Sequence, residues 1–499
     1  MRILYLDLDA LTPSHLGCYG YPRNTSPTID AIAAEGVRCT NVYASDAPCL
    51  PSRTSFYSGR FGIHTGVVGH GGTAADPKPQ GPGRGFRDWF VDQGLANQLQ
   101  KAGFHTAMIS PFGQRHGAHH FYAGFHEMHN TGKNGGESAE QVMPVVKKWF
   151  GDNAAADNWF LHINFWDIHT DYRVPDEYGD PFADDPLPDW LVDQEMIKRH
   201  WKKTGPHSAQ DIGMYGPGNP EKWPRVVDAI DSPEKMRHWI NGYDTAIRYV
   251  DDQIKWMVDQ LKAAGVYEET AIIISADHGE NQGELGIYGE HGTADQATCN
   301  IPMLIKWPGG KVGHVDEGLH YHLDWAPTMM ELLGRDRCPI WDGTSYADVV
   351  REGRDAGRED LVLSQCCHVC QRSVRWDKWL YVRTYHDGFH LFPRDMLFDI
   401  EADPHEQRDV ATKHPGVVHE GAWRLDNWHS EQMWKMAKTR TDVVDPLWTV
   451  ILEGGPQHAP HGRGPTLPQY LERLEETERS DGADELRERY ADFLPANPD

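Results

Sequence analysis

Three short apolar runs, at residues 3–9, 159–166 and 271–276, constrain this chain most, because each finishes on or against an aspartate. Runs this short and continuous suit strands buried on both faces, as in a parallel sheet. Helical patterns separate them. Residues 26–34 read as a helix with Ser26 as its cap and Pro27 in its first turn. Residues 89–102 read as another, weakened in the middle by Gly94. The strongest is 239–264: Ile240, Tyr243, Ile247, Val250, Ile254, Met257, Val258 and Leu261 recur mostly every three or four positions, and Gly265 closes the helix. Residues 104–110 and 303–307 add strands. The alternation predicts an α/β fold, a large mostly parallel sheet sandwiched by helices.

After about residue 365 the pattern changes. Residues 379–385 and 390–392 predict a hairpin and 396–400 a third short strand, so a smaller antiparallel sheet is expected. The expected division is a main domain at 1–365 and a C-terminal subdomain at 366–499, the latter with that small sheet and a helical tail including 468–478. Residues 62–84, rich in Gly, Pro and His, read as a surface loop. Residues 175–235, dense in Pro, Asp and Trp, read as an irregular insertion bordering a substrate entrance.

The net charge of −26 argues against a general basic field for nucleic acid or an anionic membrane. An anionic substrate would need local positive charge from a metal, arginines or protonated histidines. The start of the chain is too short and acidic an apolar run for a leader, and no stretch approaches the ~18 apolar residues of a membrane span. A cytoplasmic location is therefore expected. Eight cysteines in 499 residues fit reduced thiols. Cys366, Cys367 and Cys370 lack a second ligand pair nearby and read as a buried thiol cluster.

Ligands of parallel α/β sheets gather at the carboxyl ends of strands. Asp9, Asp167 with His169, and Asp277 with His278 stand at three such ends. Two carboxylates and an imidazole can hold a divalent cation. Cys49 precedes Pro51, which suits a first helical turn, and Arg53 lies one turn on, so the helix start pairs a reactive group with a cation.

Cys49-Leu50-Pro51-Ser52-Arg53, with Gly59-Arg60 following, resembles the sulfatase signature Cys-x-Pro-Ser-Arg. Residues 16–30, 164–170, 275–280 and 397–404 resemble further blocks of that family, over about residues 1–415. The resemblance implies an alkaline-phosphatase-like catalytic domain that hydrolyses a sulfate ester to alcohol and inorganic sulfate. It implies that Cys49 is converted to formylglycine by a formylglycine-generating enzyme. One hydroxyl of its hydrate attacks sulfur and the other later expels sulfate. Asp9, Asp277, His278 and residue 49 would hold one divalent metal, Ca²⁺ first, with Mg²⁺ or Mn²⁺ as alternatives. Arg53 would grip residue 49 and a sulfate oxygen. His169 would protonate the leaving oxygen, and His291 aligns with a sulfate-binding lysine of many relatives.

The sequence departs from that pattern in places. Asp9 is followed by Ala10 rather than a second acid, and Asp7, about 6.6 Å back along the strand, is read as supporting the ligands rather than joining them. The family's Lys-Trp-His segment is replaced by Pro111-Phe112-Gly113, so Arg115 and His116 are assigned to substrate binding. One of His64 and His70 is expected at the mouth. The substrate class implied is a small carbohydrate or aryl sulfate; an oligomer is open, with the tail as its contact. The runner-up activity is a phosphonate monoester or phosphodiester hydrolase of the same superfamily. A binding protein retaining the Cys49 thiol is the third reading, disfavoured by the complete residue set.

Overall fold

The protein is described by a computed structural model covering residues 1–79, 89–110, 112–132, 137–207, 211, 224–388, 390–439, 443–456 and 467–494. Its strands are β1 (Arg2–Leu8), β2 (Val37–Tyr43), β3 (Asp46–Ala47), β4 (His105–Ile109), β5 (Glu127–His129), β6 (Trp159–Phe165), β7 (Thr270–Ser275), β8 (Asn300–Lys306), β9 (His314–Tyr321), β10 (Asp360–Gln365), β11 (Cys370–Trp376), β12 (Trp379–His386) and β13 (Asp395–Asp399).

The large sheet runs β5-β4-β6-β1-β7-β8-β2-β9. All its pairings are parallel except those of β8 with β7 and β2. The central trio β6, β1 and β7 is buried along its whole length, as its unbroken apolar runs require. The 31-residue helix Pro233–Ala263 covers one face. It starts earlier than its apolar spacing predicts, because Ser232 caps it and Pro233 opens the first turn.

Ser26 does not cap the helix Pro27–Ala34. The free amides of Thr28 and Ile29 are instead taken by Asp251 of the long helix, at 3.0 and 2.8 Å, while the Ser26 hydroxyl donates to Asp30. Gly94, with extended backbone, splits the expected 89–102 helix into Trp89–Gln93 and Leu95–Lys101. Residues 62–69 are buried rather than a surface loop, because the Gly62 amide donates to Asp46 and His64 pairs with Asp342. Residues 80–84 of that segment, and 208–210 and 212–223 of the insertion, lie outside the described residues.

The smaller sheet has the order β13-β12-β11-β10-β3, antiparallel except for the short β10–β3 pairing. Its hairpin is β11–β12, not 379–385 with 390–392. His390 is drawn away to Glu290, 2.6 Å from its Nε2. The tail folds as Leu467–Glu476 and Ser480–Arg489 packed on each other around Tyr470, Leu474 and Leu486. Arg479 and Arg473 tie these helices to Asp211 at 2.8 and 2.9 Å. Cys366, Cys367 and Cys370 are buried free thiols. Among the described residues no helix is long and apolar enough to cross a membrane.

Candidate active site

Adjacent parallel strands bring the acids together. Asp7 lies in register with Asn164 of β6 and Ser275 of β7, so the residues that follow these strands emerge side by side. The helix Cys49–Ser58 points its N-terminus at that edge. Ser52 fixes it there, its hydroxyl donating to the Asp277 carbonyl at 2.5 Å. Cys49 is 1 % exposed.

Arg53 bridges three carboxylates. Its Nε donates to Asp7 at 2.8 Å, one terminal nitrogen to Asp277 at 2.5 Å and the other to Asp9 at 2.8 Å. Its guanidinium also lies over the Phe112 ring, 4.1 Å from the centroid. The same Asp7 oxygen accepts further bonds from His162 and Asn164, so it supports Arg53. Asp9 is less well served. Its Oδ1 makes no hydrogen bond, and burial together with the Asp277 charge pushes its carboxyl well above the usual range.

His278 completes the group. Its Nδ1–H donates to the Gly279 carbonyl at 2.7 Å, which leaves the Nε2 lone pair facing inward. That nitrogen stands 3.1 Å from Cys49 Sγ, 3.3 Å from Asp277 and 3.8 Å from Asp9. Ligand atoms of Asp9, Cys49, Asp277 and His278 all lie within 4.8 Å of one another. Three buried carboxylates here face two guanidiniums, Arg53 and the more distant Arg115 at 3.5 Å. An orphaned carboxylate oxygen, an inward lone pair and a residual negative charge fit a divalent cation. Burial and the Asp9 and Asp277 charges push the Cys49 thiol well above its ordinary value.

Two further imidazoles, His169 and His291, stand beside His278 and Cys49. His169 donates from Nδ1 to the Thr170 carbonyl at 3.1 Å and stacks on Trp166 at 4.0 Å, which aims its Nε2 into the site. His291 stacks on His278 at 4.5 Å and leaves Nδ1 without a hydrogen bond. Burial and neighbouring imidazoles hold both His169 and His291 well below the ordinary histidine range. The Arg115 guanidinium lies over the Trp166 ring, 2.9 Å from its centroid. His116 packs beside His70 at 4.3 Å, and ligand atoms of both cluster with Cys49. Of the two histidines after the signature, His70 is the one whose ring reaches Cys49; His64 is buried against Asp342, 2.6 Å away. Pro111 lies outside the described residues.

Asp167, a strand-end acid, does not join the site. It accepts from the Ala139 amide at 2.9 Å and so anchors the helix Ala139–Asn153. Several contributors were not assigned roles from sequence. Glu280 accepts from Thr170 and Tyr172, sits 3.8 Å from His291 and has its carboxyl pushed up to about 7 by burial. Glu290 is gripped by His368 and His390 at 2.8 and 2.6 Å, which hold it down at about 2. The polar His162 and Asn164 inside an apolar strand were the visible signal for the Asp7 network.

A family model described as Sulfatase matches residues 2–335. The Ulvan-active sulfatase of Formosa agariphila is 23% identical over 435 residues, covering 83% of this chain and 77% of that protein. The solved structure of a 2-O GAG sulfatase superposes with a TM-score of 0.67 at 19% identity, over 89% of this chain and 95% of that one. The phosphonate monoester hydrolase of Agrobacterium radiobacter superposes with a TM-score of 0.65 at 17% identity, over 86% and 95%. At such identities the two structures speak for the fold, and the family match carries the assignment. The chain belongs to the sulfatase family and is a sulfuric ester hydrolase.

Proposed function

We propose that the protein hydrolyses a small carbohydrate or aryl sulfate at the Cys49 end of the signature helix. The observation that carries this reading is the cluster of Asp9, Cys49, Asp277 and His278 within 4.8 Å, with Arg53 beside it. A divalent cation, proposed as Ca²⁺, would be held by those four residues and would polarise the sulfuryl oxygens. Formylglycine at residue 49, once hydrated, supplies the nucleophilic hydroxyl.

The chain's own residues do the rest. Arg53 is oriented by Asp7, which leaves its guanidinium plane beside residue 49 to hold an anionic oxygen. Arg115, His116 and His291 line the space the sulfate group would occupy. His169, fixed by Thr170 and Trp166 and kept neutral by burial, presents an unprotonated Nε2 to the site; it would take up the proton released by the attacking hydroxyl and pass it to the leaving oxygen. The buried walls exclude water, which strengthens each of these interactions.

The Asp9-Ala10 and Asp277-His278 pattern keeps phosphodiesters and phosphonate monoesters as the second reading. Rates on matched aryl sulfate and aryl phosphodiester decide between them: a clear phosphodiester preference overturns the first. Cys49→Ala and Asp277→Asn should each abolish turnover while circular dichroism stays unchanged; full activity in either removes the assignment. Peptide mass spectrometry across residue 49, on active protein, should find the aldehyde, and thiol alone would exclude the proposed nucleophile.

A further inference from the structure

At the outer edge of the large sheet, β9 is flanked on one side only, by β2. His314 and Asp316 occupy the same face of that strand, two residues apart. Asp316 is fully buried, at 0% exposure. One of its oxygens accepts from His320 Nε2 at 2.8 Å, while Oδ1 is buried with no hydrogen bond. The Nε2 of His314 is likewise buried with no hydrogen bond. Among the described residues, the ion-pair partner of Asp316 is His320 and no lysine or arginine.

A third group comes from the turn after the helix Ala347–Glu352. Asp355 places a carboxylate oxygen so that it, His314 and Asp316 all offer ligand atoms within 4.8 Å of one another. The backbone holds this turn close. The Arg358 amide donates to the Leu319 carbonyl at 2.9 Å, and a side chain at Gly318 would meet the Ala356 carbonyl at 1.7 Å. Asp355 is thus carried to β9 by the fold rather than by attraction between two acids, which repel.

We propose that His314, Asp316 and Asp355 form a second divalent-metal site, of the zinc class, that clamps this turn onto the sheet edge. One imidazole nitrogen and two carboxylate oxygens suit Zn²⁺, with water completing the coordination. His320 is a positioning residue: by holding one oxygen of Asp316 it turns the other toward His314. The site is separate from the reaction centre. His314 and the end of β9 are roughly 20 Å apart along the strand, and His322, just beyond that end, touches Ser52 of the signature helix.

The test uses the full chain, stripped with EDTA, re-equilibrated with Zn²⁺ and dialysed before metal analysis. His314→Ala and Asp355→Asn should each bind one equivalent fewer than the wild type. In an Asp277→Asn background, Zn²⁺ should still raise the unfolding temperature, and adding His314→Ala should abolish that rise. His314 is half-buried and Asp355 exposed, so both variants are expected to keep the native far-ultraviolet spectrum. Equal zinc content in wild type and both variants, or an unchanged temperature rise in the double variant, overturns the proposal.

Discussion

Arg53 faces three carboxylates at once, and this arrangement cannot be reproduced by a single ammonium. Arg53→Lys keeps the charge but reaches at most one or two of the acids. The expected outcome is a loss of about 100-fold in kcat/KM, since a positioned donor to the reacting anion is lost. Arg53→Ala leaves Asp7, Asp9 and Asp277 crowded without their shared cation. Breaking a buried charge group in this way costs about 3–5 kcal/mol, to be read from denaturant unfolding of the metal-free protein. If Arg53→Ala is as stable as the wild type, the network does not hold the three acids together. His169 is tested by a leaving-group series. His169→Ala should slow esters of poorly acidic alcohols far more than nitrophenyl esters, which leave without protonation. Equal losses on both would remove its proton-donor role.

At the scale of elements, Asp342 joins three pieces of chain. It accepts from the Phe61 amide at 3.1 Å and from His64 at 2.6 Å, and Lys435 of the helix Pro415–Thr439 stands 3.8 Å away. Its carboxyl is held at about 2, below the ordinary 3.8, chiefly by His64 against the cost of burial. A depressed folded value stabilises above about pH 4, and the gain is lost as pH falls toward 2. The shift corresponds to roughly 2 kcal/mol. Asp342→Asn should lose about that much at pH 7, roughly half of it near pH 3 and little near pH 2, measured by urea unfolding at each pH. A constant difference across that range would separate the effect from titration. The sequence made the central strands and the long helix legible, because continuous apolar runs and a three-four spacing are local signals. It also exposed Asp9, Cys49, Arg53, Asp277 and His278, which share short motifs at element ends. It hid what depends on distant partners. Asp251 displaces Ser26 as the helix anchor from 222 positions beyond Ile29, and Glu290 pulls His390 out of the expected hairpin. Asp167 looked equivalent to Asp277 because both end apolar strands; only the Ala139 amide separates their roles.

In the whole molecule, the tail helices are fastened to the main body by a buried pair. The side chains of Arg479 and Asp211 are both 0% exposed and 2.8 Å apart, and Arg473 holds the other oxygen of Asp211. Arg479→Ala should therefore release residues 467–494, seen as early proteolysis or fast hydrogen exchange there, while β1, β6 and β7 stay protected. Uniform exchange across the chain would mean that the tail and the sheet unfold as one unit. The two-residue strand β3 has a mechanical consequence. It pairs with β10 through Ser364–Asp46 and Gln365–Ala47, and Cys49 follows it after a single residue. The smaller sheet is thus geared directly to the reacting position. It cannot swing aside without dragging residue 49 off its neighbours, so any displacement of that sheet is felt at the reacting position.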